Sequence, residues 1–281
     1  MSAPLIVAAL VAAAGWGAGC DGEGAPDADA SPTRDQALTG DQFECYNNTS
    51  VCSTSGPCLA CSGKSLYSSS TCDYGTDYHT NTGASGVEER IAILAPHGGA
   101  IELYTYEIGD ELRRALQTPY HLFDAHPTST CIGSYGDAYS ALHVTSTGYN
   151  PRGALDALGA SASTRGVAIH GHGRGGTLVC VGGGSSTARS NFITCWNSLS
   201  TGYTAVNIDH ADCAGITGTD PSNIVNRGRG GSGLQLEMPL GLRSSLNSSI
   251  GGSEKLLFRK LAGAIRRGMG LTSSCGAIAP Y

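Results

Sequence analysis

The chain has 281 residues, with 17 Lys and Arg against 23 Asp and Glu, 11 Cys and 41 Gly. Charged residues make up 14% of it, against roughly 25% in an average soluble domain, and glycine has about twice its usual share. The glycines have no three-residue period, which excludes collagen, and a net charge of −6 argues against a general nucleic-acid-binding protein. Composition therefore indicates an exported, loop-rich domain with one sizeable core of the α/β or all-β type.

The first 20 residues have the pattern of an export signal. Residues 1–19 carry no charge, residues 5–11 are an apolar run, and small residues precede Cys20. This pattern is typical of bacterial lipoproteins, in which Cys20 would carry the lipid, and we favour it over an ordinary secretory signal or a retained signal anchor. We expect a protein outside the cytoplasm, either secreted or lipid-anchored to a bacterial membrane, whose membrane contact would be made through Cys20.

Residues 21–42 are predicted to form a flexible acidic tether. They include six acidic residues and one basic residue and have no apolar periodicity, which is typical of a solvated linker. The tether carries five of the six net negative charges, so residues 43–281 are nearly neutral.

The remaining ten cysteines predict up to five disulfides, because an even number in an exported chain is typical of a disulfide framework. Five lie within residues 45–72 and five within residues 131–275, so at least one bridge should join the two groups. Cys58 and Cys61 have the spacing of a redox or zinc pair, but without a second such pair a structural disulfide is favoured. We predict a disulfide-stapled extension over residues 43–80 and a main domain over residues 81–281.

Apolar patterns after residue 90 alternate between strands and helices. Short continuous apolar runs, typical of buried strands, occur at residues 90–95, 141–145, 166–170, 204–208 and 233–237. Apolar residues have helical spacing in residues 101–116 and 254–267. The second helix carries basic residues near its carboxyl terminus, where the helix dipole favours positive charge. This alternation predicts an α/β sheet with helices on both faces and with ligands at the carboxyl ends of its strands.

Three side chains could form a metal site. His97 follows the first of these strands, Glu102 comes five residues later, and His170 ends another strand. Two imidazoles and a carboxylate leave a tetrahedral Zn²⁺ one open position for water. On bare sequence, however, a histidine that ends a strand is more often a hydrogen-bonded structural residue. The chain has neither a His-Glu-x-x-His motif nor a Gly-x-Ser-x-Gly elbow, which argues against a thermolysin-like helix and an esterase nucleophile.

Five sequence blocks that occur in a fixed order are stronger evidence for a functional site than these three side chains alone. They are residues 95–102 (Ala-Pro-His-Gly-Gly-Ala-Ile-Glu), 142–147, 168–171, 219–227 and 233–237, followed by Arg243. Together they resemble the poly-γ-glutamate hydrolase family, first known from bacteriophages, from about residue 90 to about residue 267. The resemblance implies an open mixed sheet similar to that of zinc carboxypeptidases. It also implies one Zn²⁺ per chain, with His97, Glu102 and His170 as its ligands.

The resemblance also assigns roles to four other residues. Glu237 would be the general base, and Asn226 with Arg227 would grip a substrate carboxylate, a task that suits a planar guanidinium. The alternatives are a solvent-facing strand residue for Glu237 and a surface ion pair for Arg227. We place His143 as a substrate-binding residue or as a support for the metal ligands, although a buried histidine bonded to backbone is equally compatible with the sequence.

The function expected from the resemblance is zinc-dependent hydrolysis of γ-glutamyl amide bonds. The substrate would be poly-γ-glutamate or a related γ-linked peptide, nucleic acid would not be a partner, and we expect a monomer. Residues 148–152 read Gly-Tyr-Asn-Pro-Arg where the phage members are acidic, so the preference for γ-linked substrates stays open. Two alternatives remain: a non-catalytic extracytoplasmic binding protein on the same fold, and a cell-wall peptide amidase or endopeptidase.

Overall fold

The computed structural model describes residues 90–127, 143, 145–149, 151–159, 163–248 and 255–280, and the backbone of five strands earlier in the chain. The leader, the tether up to residue 41 and the cysteine side chains of residues 45–72, with their predicted disulfides, lie outside the described part of the chain, as does most of the predicted strand 141–145. None of the described helices has the length and hydrophobicity needed to cross a bilayer.

The chain forms strands first and then alternates strands with helices. The strands are β1 (Gln42–Glu44), β2 (Val51–Ser53), β3 (Cys58–Cys61), β4 (Lys64–Leu66), β5 (Cys72–His79), β6 (Ile91–Ala95), β7 (Tyr120–Pro127), β8 (Arg165–His172), β9 (Leu178–Gly182), β10 (Thr204–Asn207) and β11 (Leu234–Pro239). The α-helices are α1 (Thr105–Leu116), α2 (Arg152–Leu158), α3 (Ser186–Ser198), α4 (Leu240–Ser248) and α5 (Leu256–Gly268). Short 3₁₀ turns occupy Ala211–Cys213, Ile224–Asn226 and Arg229–Gly231.

Among the described strands, seven form one mixed sheet in the order β10-β9-β11-β8-β6-β7-β5. The central strands β11, β8, β6 and β7 run parallel to one another. β9 and β5 run antiparallel to their neighbours β11 and β7. This arrangement confirms the predicted mixed α/β sheet. Its edge strand β5 comes from the segment predicted as the stapled extension.

Alternate residues of the central strands face opposite sides of the sheet, as the two-residue period of a strand requires. Ile93, Ile169 and Leu236 belong to the main core beneath α1, α3 and α5, and all three side chains are fully buried. The residues between them face the second side of the sheet, which α2 and the 3₁₀ turn Ile224–Asn226 partly cover. Helices therefore lie on both faces, as predicted, and the second face carries the polar side chains described below.

Two predicted helices have different limits in the structure, and several elements were missed. The helix predicted from residue 101 begins at Thr105, because Tyr104 has a left-handed φ of 74° that ends the preceding turn. The helix predicted over 254–267 spans Leu256–Gly268. Strands β7 and β9 and helix α3 were not predicted; α3 is rich in Ser, Thr and Asn and has little amphipathic pattern to detect.

Two disulfides join cysteines of the main domain. Cys180 of β9 pairs with Cys213, and Cys195 of α3 pairs with Cys275 near the carboxyl terminus. These bridges confirm the use of cysteines as a disulfide scaffold. Cys131 lies outside the described residues, so the predicted bridge between the two cysteine groups stays a prediction.

Candidate metal and catalytic site

Three neighbouring parallel strands bring the predicted site residues together. β11, β8 and β6 are adjacent in the sheet, so their carboxyl ends share one edge, the usual place for ligands in an open α/β sheet. His170 in β8 lies opposite Glu237 in β11 in the strand register. His97 comes two residues after the end of β6. All three residues therefore meet at the same edge of the sheet.

His97, Glu102 and His170 form one compact group, called here the ligand cluster. Nδ1 of His97 lies 2.8 Å from Oε1 of Glu102, and Nδ1 of His170 lies 3.4 Å from Oε2 of the same carboxylate. The two Nδ1 atoms are 3.1 Å apart. Both histidines are buried, with 4% and 2% of their surface exposed. Two ring nitrogens and one carboxylate thus converge on one buried point.

A tight turn aims His97 and Glu102 at the same point. The backbone N–H of Glu102 donates to the carbonyl of His97 at 2.9 Å, which closes the turn. Gly98 and Gly99 press against β7 within it: a Cβ on Gly98 would lie 1.9 Å from the carbonyl oxygen of Phe123, and Gly99 has a φ of 68°. Only glycine fits both positions. The His-Gly-Gly sequence is therefore needed for the geometry of the cluster.

Neighbouring groups orient the cluster from outside. The backbone N–H of Gly171 donates to Oε2 of Glu102 at 2.8 Å. The hydroxyl of Ser146 lies 3.3 Å from Nε2 of His170. Contacts of this kind fix the tautomer and direction of metal-ligating side chains.

The ligand cluster fits a zinc ion. Its donor atoms all lie within 4.8 Å of one another, and the nearest separations of 2.8–3.4 Å match the roughly 3.3 Å between ligand atoms around tetrahedral Zn²⁺. Two imidazole Nδ1 atoms at 3.1 Å need a proton or a cation between them, because two lone pairs repel. A pair of imidazoles with one carboxylate is also a known ligand set of catalytic zinc.

Charges within and beside the ligand cluster shift the pKa values of its members. Burial opposes ionisation of Glu102, but the charges and hydrogen bonds of His97 and His170 outweigh it and hold the pKa of Glu102 well below its ordinary value. Burial likewise opposes a charged His170, yet Glu102 and Glu237 raise the pKa of His170 above its ordinary value. Glu102 is therefore an ionised carboxylate at neutral pH, as a metal ligand must be.

Glu237 has the properties of a proton-transfer group. Burial raises the pKa of Glu237 to about 7, with His170 opposing the shift and Glu102 adding to it. The Gln235 amide donates to Oε1 of Glu237 at 2.7 Å. A carboxyl whose pKa lies near neutrality can both accept and return a proton at working pH.

A cavity of about 980 Å³ opens over the ligand cluster and Glu237. Residues 215–221 line one part of it, and four threonines are among its lining residues. Arg174 is the one arginine or lysine among the described residues that line it. Its guanidinium donates to the carbonyl of Asp212, and to the carbonyl of Ala214 at 2.6 Å. Arg174 is thus a hydrogen-bonded cation in the lining of the cavity that also contains Glu102 and Glu237.

Two other histidines, the predicted His143 and His172, for which the sequence indicated no role, also line this cavity. The ring centroid of His143 lies 4.4 Å from that of His97. β8 continues past His170 to His172, so the two residues share a face of the strand. Nε2 of His172 donates to the carbonyl of Leu178 at 3.1 Å, and burial lowers the pKa of His172. His143 is close to the ligand cluster, whereas His172 is hydrogen-bonded to the first residue of β9.

The predicted Asn226–Arg227 pair lies outside the described lining of the cavity. Asn226 is buried, and its amide donates to the carbonyls of Gly218 and Asp220 and accepts from the N–H of Gly184. Arg227 is exposed, and its Nε–H donates to a backbone carbonyl of the same loop at 3.0 Å. Asn226 therefore supports the 215–221 wall, and the substrate role proposed for the pair stays a prediction.

Three residues in or next to the quoted sequence blocks, to which the sequence assigned no role, also support the site: Ser146, Gln235 and Arg243. Gln235 precedes Glu237 by two residues, so strand alternation would have placed both on one face. Arg243 lies against Gly171, where an added Cβ would come within 2.3 Å of Cζ. Its Nε–H donates to the carbonyl of Met238 at 3.2 Å. No short sequence pattern reveals the contacts of Ser146 and Arg243, because they join distant segments.

Two proteins of Bacillus subtilis (strain 168) are similar in sequence. The chain is 29% identical to the UPF0714 protein YndL over 171 residues, 61% of either chain. It is 30% identical to the SPbeta prophage-derived UPF0714 protein YoqZ over 152 residues, 54% of this chain and 50% of YoqZ. The match thus spans about half to three fifths of the length of these relatives.

Two solved structures have a similar fold. A bacteriophage poly-gamma-glutamate hydrolase aligns with a TM-score of 0.54 and 24% identity, over 72% of this chain and 90% of the phage protein. The zinc-free form of YndL aligns with a TM-score of 0.54 and 25% identity, over 70% and 90% of the two chains. The sequence profile described as poly-gamma-glutamate hydrolase matches residues 68–257. Because that match covers well over half of the sequence and includes the whole ligand cluster, the chain belongs to the poly-gamma-glutamate hydrolase family.

Proposed function

We propose that the protein is a zinc-dependent hydrolase of γ-glutamyl amide bonds, with poly-γ-glutamate or a related γ-linked peptide as substrate. The observation that carries this proposal is the convergence of His97, Glu102 and His170 beside the buried Glu237. One Zn²⁺ held by these three residues would supply a Lewis acid that polarises the scissile carbonyl and lowers the pKa of water. Family membership and the zinc-free form of the relative YndL support the same assignment.

Glu237 is assigned the proton transfers. Gln235 engages Oε1 of Glu237, so the other carboxylate oxygen is the acceptor for a proton of the attacking water. As the water oxygen bonds to the carbonyl carbon, its proton passes to Glu237. When the C–N bond breaks, Glu237 returns that proton to the leaving amine. A carboxyl with a pKa near neutrality suits both steps.

Arg174 is assigned the recognition of a substrate carboxylate. Each γ-linked glutamyl residue keeps its α-carboxylate free, so the substrate brings negative charge into a cavity that already contains Glu102 and Glu237. Arg174 is the fixed cation among the described lining residues, and two backbone carbonyls use only part of its five N–H donors. The remaining donors can pair with a carboxylate in bidentate geometry.

The assignment is tested by hydrolysis of poly-γ-glutamate, measured as amines released and as chain length, before and after chelation. We expect chelation to abolish cleavage, Zn²⁺ to restore it, and Glu237→Gln to lower kcat by roughly a thousandfold or more. Glu107→Gln, on the exposed side of α1, is the matched control and should leave kcat unchanged. Cleavage that survives zinc removal would contradict the metal mechanism.

The same assay separates the alternatives. Cleavage of cell-wall peptides in place of γ-polyglutamate would identify an amidase or endopeptidase with the same chemistry. Binding of these polymers without any cleavage would identify a non-catalytic binding protein. We also propose that the protein works outside the cytoplasm, secreted or anchored through Cys20; the two disulfides of the main domain support an oxidising location.

A further inference from the structure

Two buried amide side chains connect Glu237 with the loop that follows residues 215–221. Gln235 lies on the same face of β11 as Glu237, and its Nε2 donates to Oε1 of Glu237 at 2.7 Å. Asn223 donates in turn from Nδ2 to Oε1 of Gln235 at 3.1 Å. The three side chains are buried, and all of them line the cavity over the ligand cluster. The two hydrogen bonds are called here the amide chain.

The backbone fixes the direction of both bonds in the amide chain. The N–H of Val225 can only donate, and it lies 3.1 Å from Oδ1 of Asn223, so Nδ2 is the atom that faces Gln235. Nδ2 can also only donate, so Oε1 of Gln235 faces it and Nε2 of Gln235 faces Glu237. The carbonyl of Ile216, which only accepts, lies 3.5 Å from the same Nε2. The amide chain therefore presents a donor to Glu237 and not an acceptor.

Close packing holds the Gln235 amide in place. Gly218 has a φ of 60°, and a Cβ on it would lie 2.4 Å from Oε1 of Gln235. A glycine at this position thus allows the main chain to approach the amide closely. The main chain that lines the cavity at residues 216–218 therefore lies directly against the side chain that binds Glu237.

A donor at Oε1 determines which oxygen of Glu237 carries the proton. Among the described residues, Gln235 is the one hydrogen-bond partner of this carboxylate. The carbonyl oxygen of a protonated carboxyl is the better acceptor, so the donated bond keeps Oε1 as the carbonyl oxygen and leaves the proton on Oε2. A reversed Gln235 amide would present an oxygen to Glu237 and would hold the proton in a bond that the reaction has to break.

We propose that Asn223 and Gln235 are positioning residues, which orient the Glu237 carboxyl so that Oε2 exchanges protons with the attacking water and the leaving amine. This inference rests on the proposed function and adds to it two residues that act on the substrate through Glu237. Their loss should lower kcat while substrate binding and zinc binding stay nearly constant. A misplacement of about 1 Å at a reacting group lowers the rate by up to roughly a hundredfold.

Two variants test the amide chain. Gln235→Met keeps the length of the side chain and has no N–H. Asn223→Asp keeps the acceptor for the N–H of Val225 but replaces the donor by an oxygen, so the Gln235 amide has to turn over. Each variant should lower kcat on poly-γ-glutamate roughly ten- to a hundredfold, with KM within about threefold and zinc affinity within about twofold of the parent.

The matched control is Asn191→Asp, a half-buried position of α3 on the opposite face of the sheet, and it should preserve kcat. Gln235→Met adds no charge, so agreement between the two variants excludes the added carboxylate as the cause. Should Gln235→Met fail to fold, Asn223→Asp carries the kinetic test. Unchanged kcat, or a rise in KM alone, would overturn the proposal. So would a parallel loss of kcat and zinc affinity, because it would show a structural role.

A second measurement does not depend on catalysis. NMR of the glutamate carboxyl carbons in the zinc-free protein follows the ionisation of Glu237. The bond from Gln235 lowers the pKa of Glu237 against the effect of burial, which raises it to about 7. Gln235→Met should therefore raise this pKa further, and an unchanged pKa would overturn the positioning role. A parent that cleaves no peptide although this shift is observed would refute the proposed function and support the positioning of Glu237.

Discussion

The raised pKa of Glu237 leads to a stability prediction for the metal-free protein. Burial raises the pKa of this carboxyl to about 7 in the folded chain, from an ordinary value of 4.5. A carboxyl with a raised pKa favours the folded state while it is protonated. Its contribution is fully present below about pH 4.5 and is lost as the pH rises through about 7.

The size of the effect follows from the two pKa values. Each pKa unit corresponds to about 1.4 kcal/mol, so an ionised Glu237 should lower the free energy of unfolding by about 3 kcal/mol above pH 7. Glu237→Gln keeps the acceptor for the Gln235 amide and cannot ionise. The metal-free variant should therefore be about 3 kcal/mol more stable than its parent at pH 8 and nearly equal to it at pH 4.5.

Urea unfolding of both chelated proteins, with disulfides intact, measures this difference at each pH. Comparing the variant with its parent at the same pH cancels the contributions of titrating groups that do not interact with Glu237. His170 is different, because Glu237 helps to raise its pKa, so its titration is followed separately by NMR in both proteins. A variant no more stable than the parent at pH 8 would refute the burial argument. So would a gain of the same size at pH 4.5, since it would show that ionisation is not its source.

Three further outcomes follow from other contacts. Gly171→Ala should lower the free energy of unfolding by about 2–4 kcal/mol and weaken metal binding, because the added Cβ would displace Arg243. Urea unfolding would measure the loss of stability and zinc titration the loss of affinity. An unchanged zinc affinity would contradict the prediction. Replacing Cys180 and Cys213 by Ala opens a bridge between residues 33 apart, and should cost about 4 kcal/mol by loop entropy, measured by urea unfolding against the parent. Arg174→Gln should raise KM for γ-linked substrates roughly tenfold or more with little change in kcat, and steady-state kinetics showing equal KM values would exclude Arg174 as a carboxylate contact.

The residues of the ligand cluster could be predicted from sequence because short local patterns determine their placement. His97 and Glu102 lie in one turn that two glycines make possible, and His170 ends an apolar run of a parallel strand. Parallel neighbours bring such ends to one edge whatever the rest of the fold does. For the same reason the strand run ending in Glu237 pointed to this edge.

Substrate contacts were harder to predict, because loop conformation decides them. Asn226 and Arg227 form a recognisable dipeptide, yet in the structure the Asn226 amide is engaged by three backbone groups of its own loops. Arg174 follows β8 in an exposed glycine-rich loop, and it becomes a cavity residue only because the carbonyls beside Cys213 hold it. A sequence identifies the charged residues, but in loops it does not identify their partners.

The direction of β9 could not be predicted from the sequence either, and it determines which residues lie beside Glu237. An apolar run of five residues does not show whether its strand runs parallel or antiparallel. In the structure β9 is antiparallel to β11, which places Cys180 opposite Glu237 in the register. The disulfide from Cys180 to Cys213 therefore anchors the loop that leads into the 215–221 wall directly beside Glu237. Since Arg174 bonds to the carbonyls on either side of Cys213, the same bridge positions the arginine that lines the cavity. A disulfide of the kind predicted for an exported scaffold therefore also determines the geometry of the cavity over the ligand cluster.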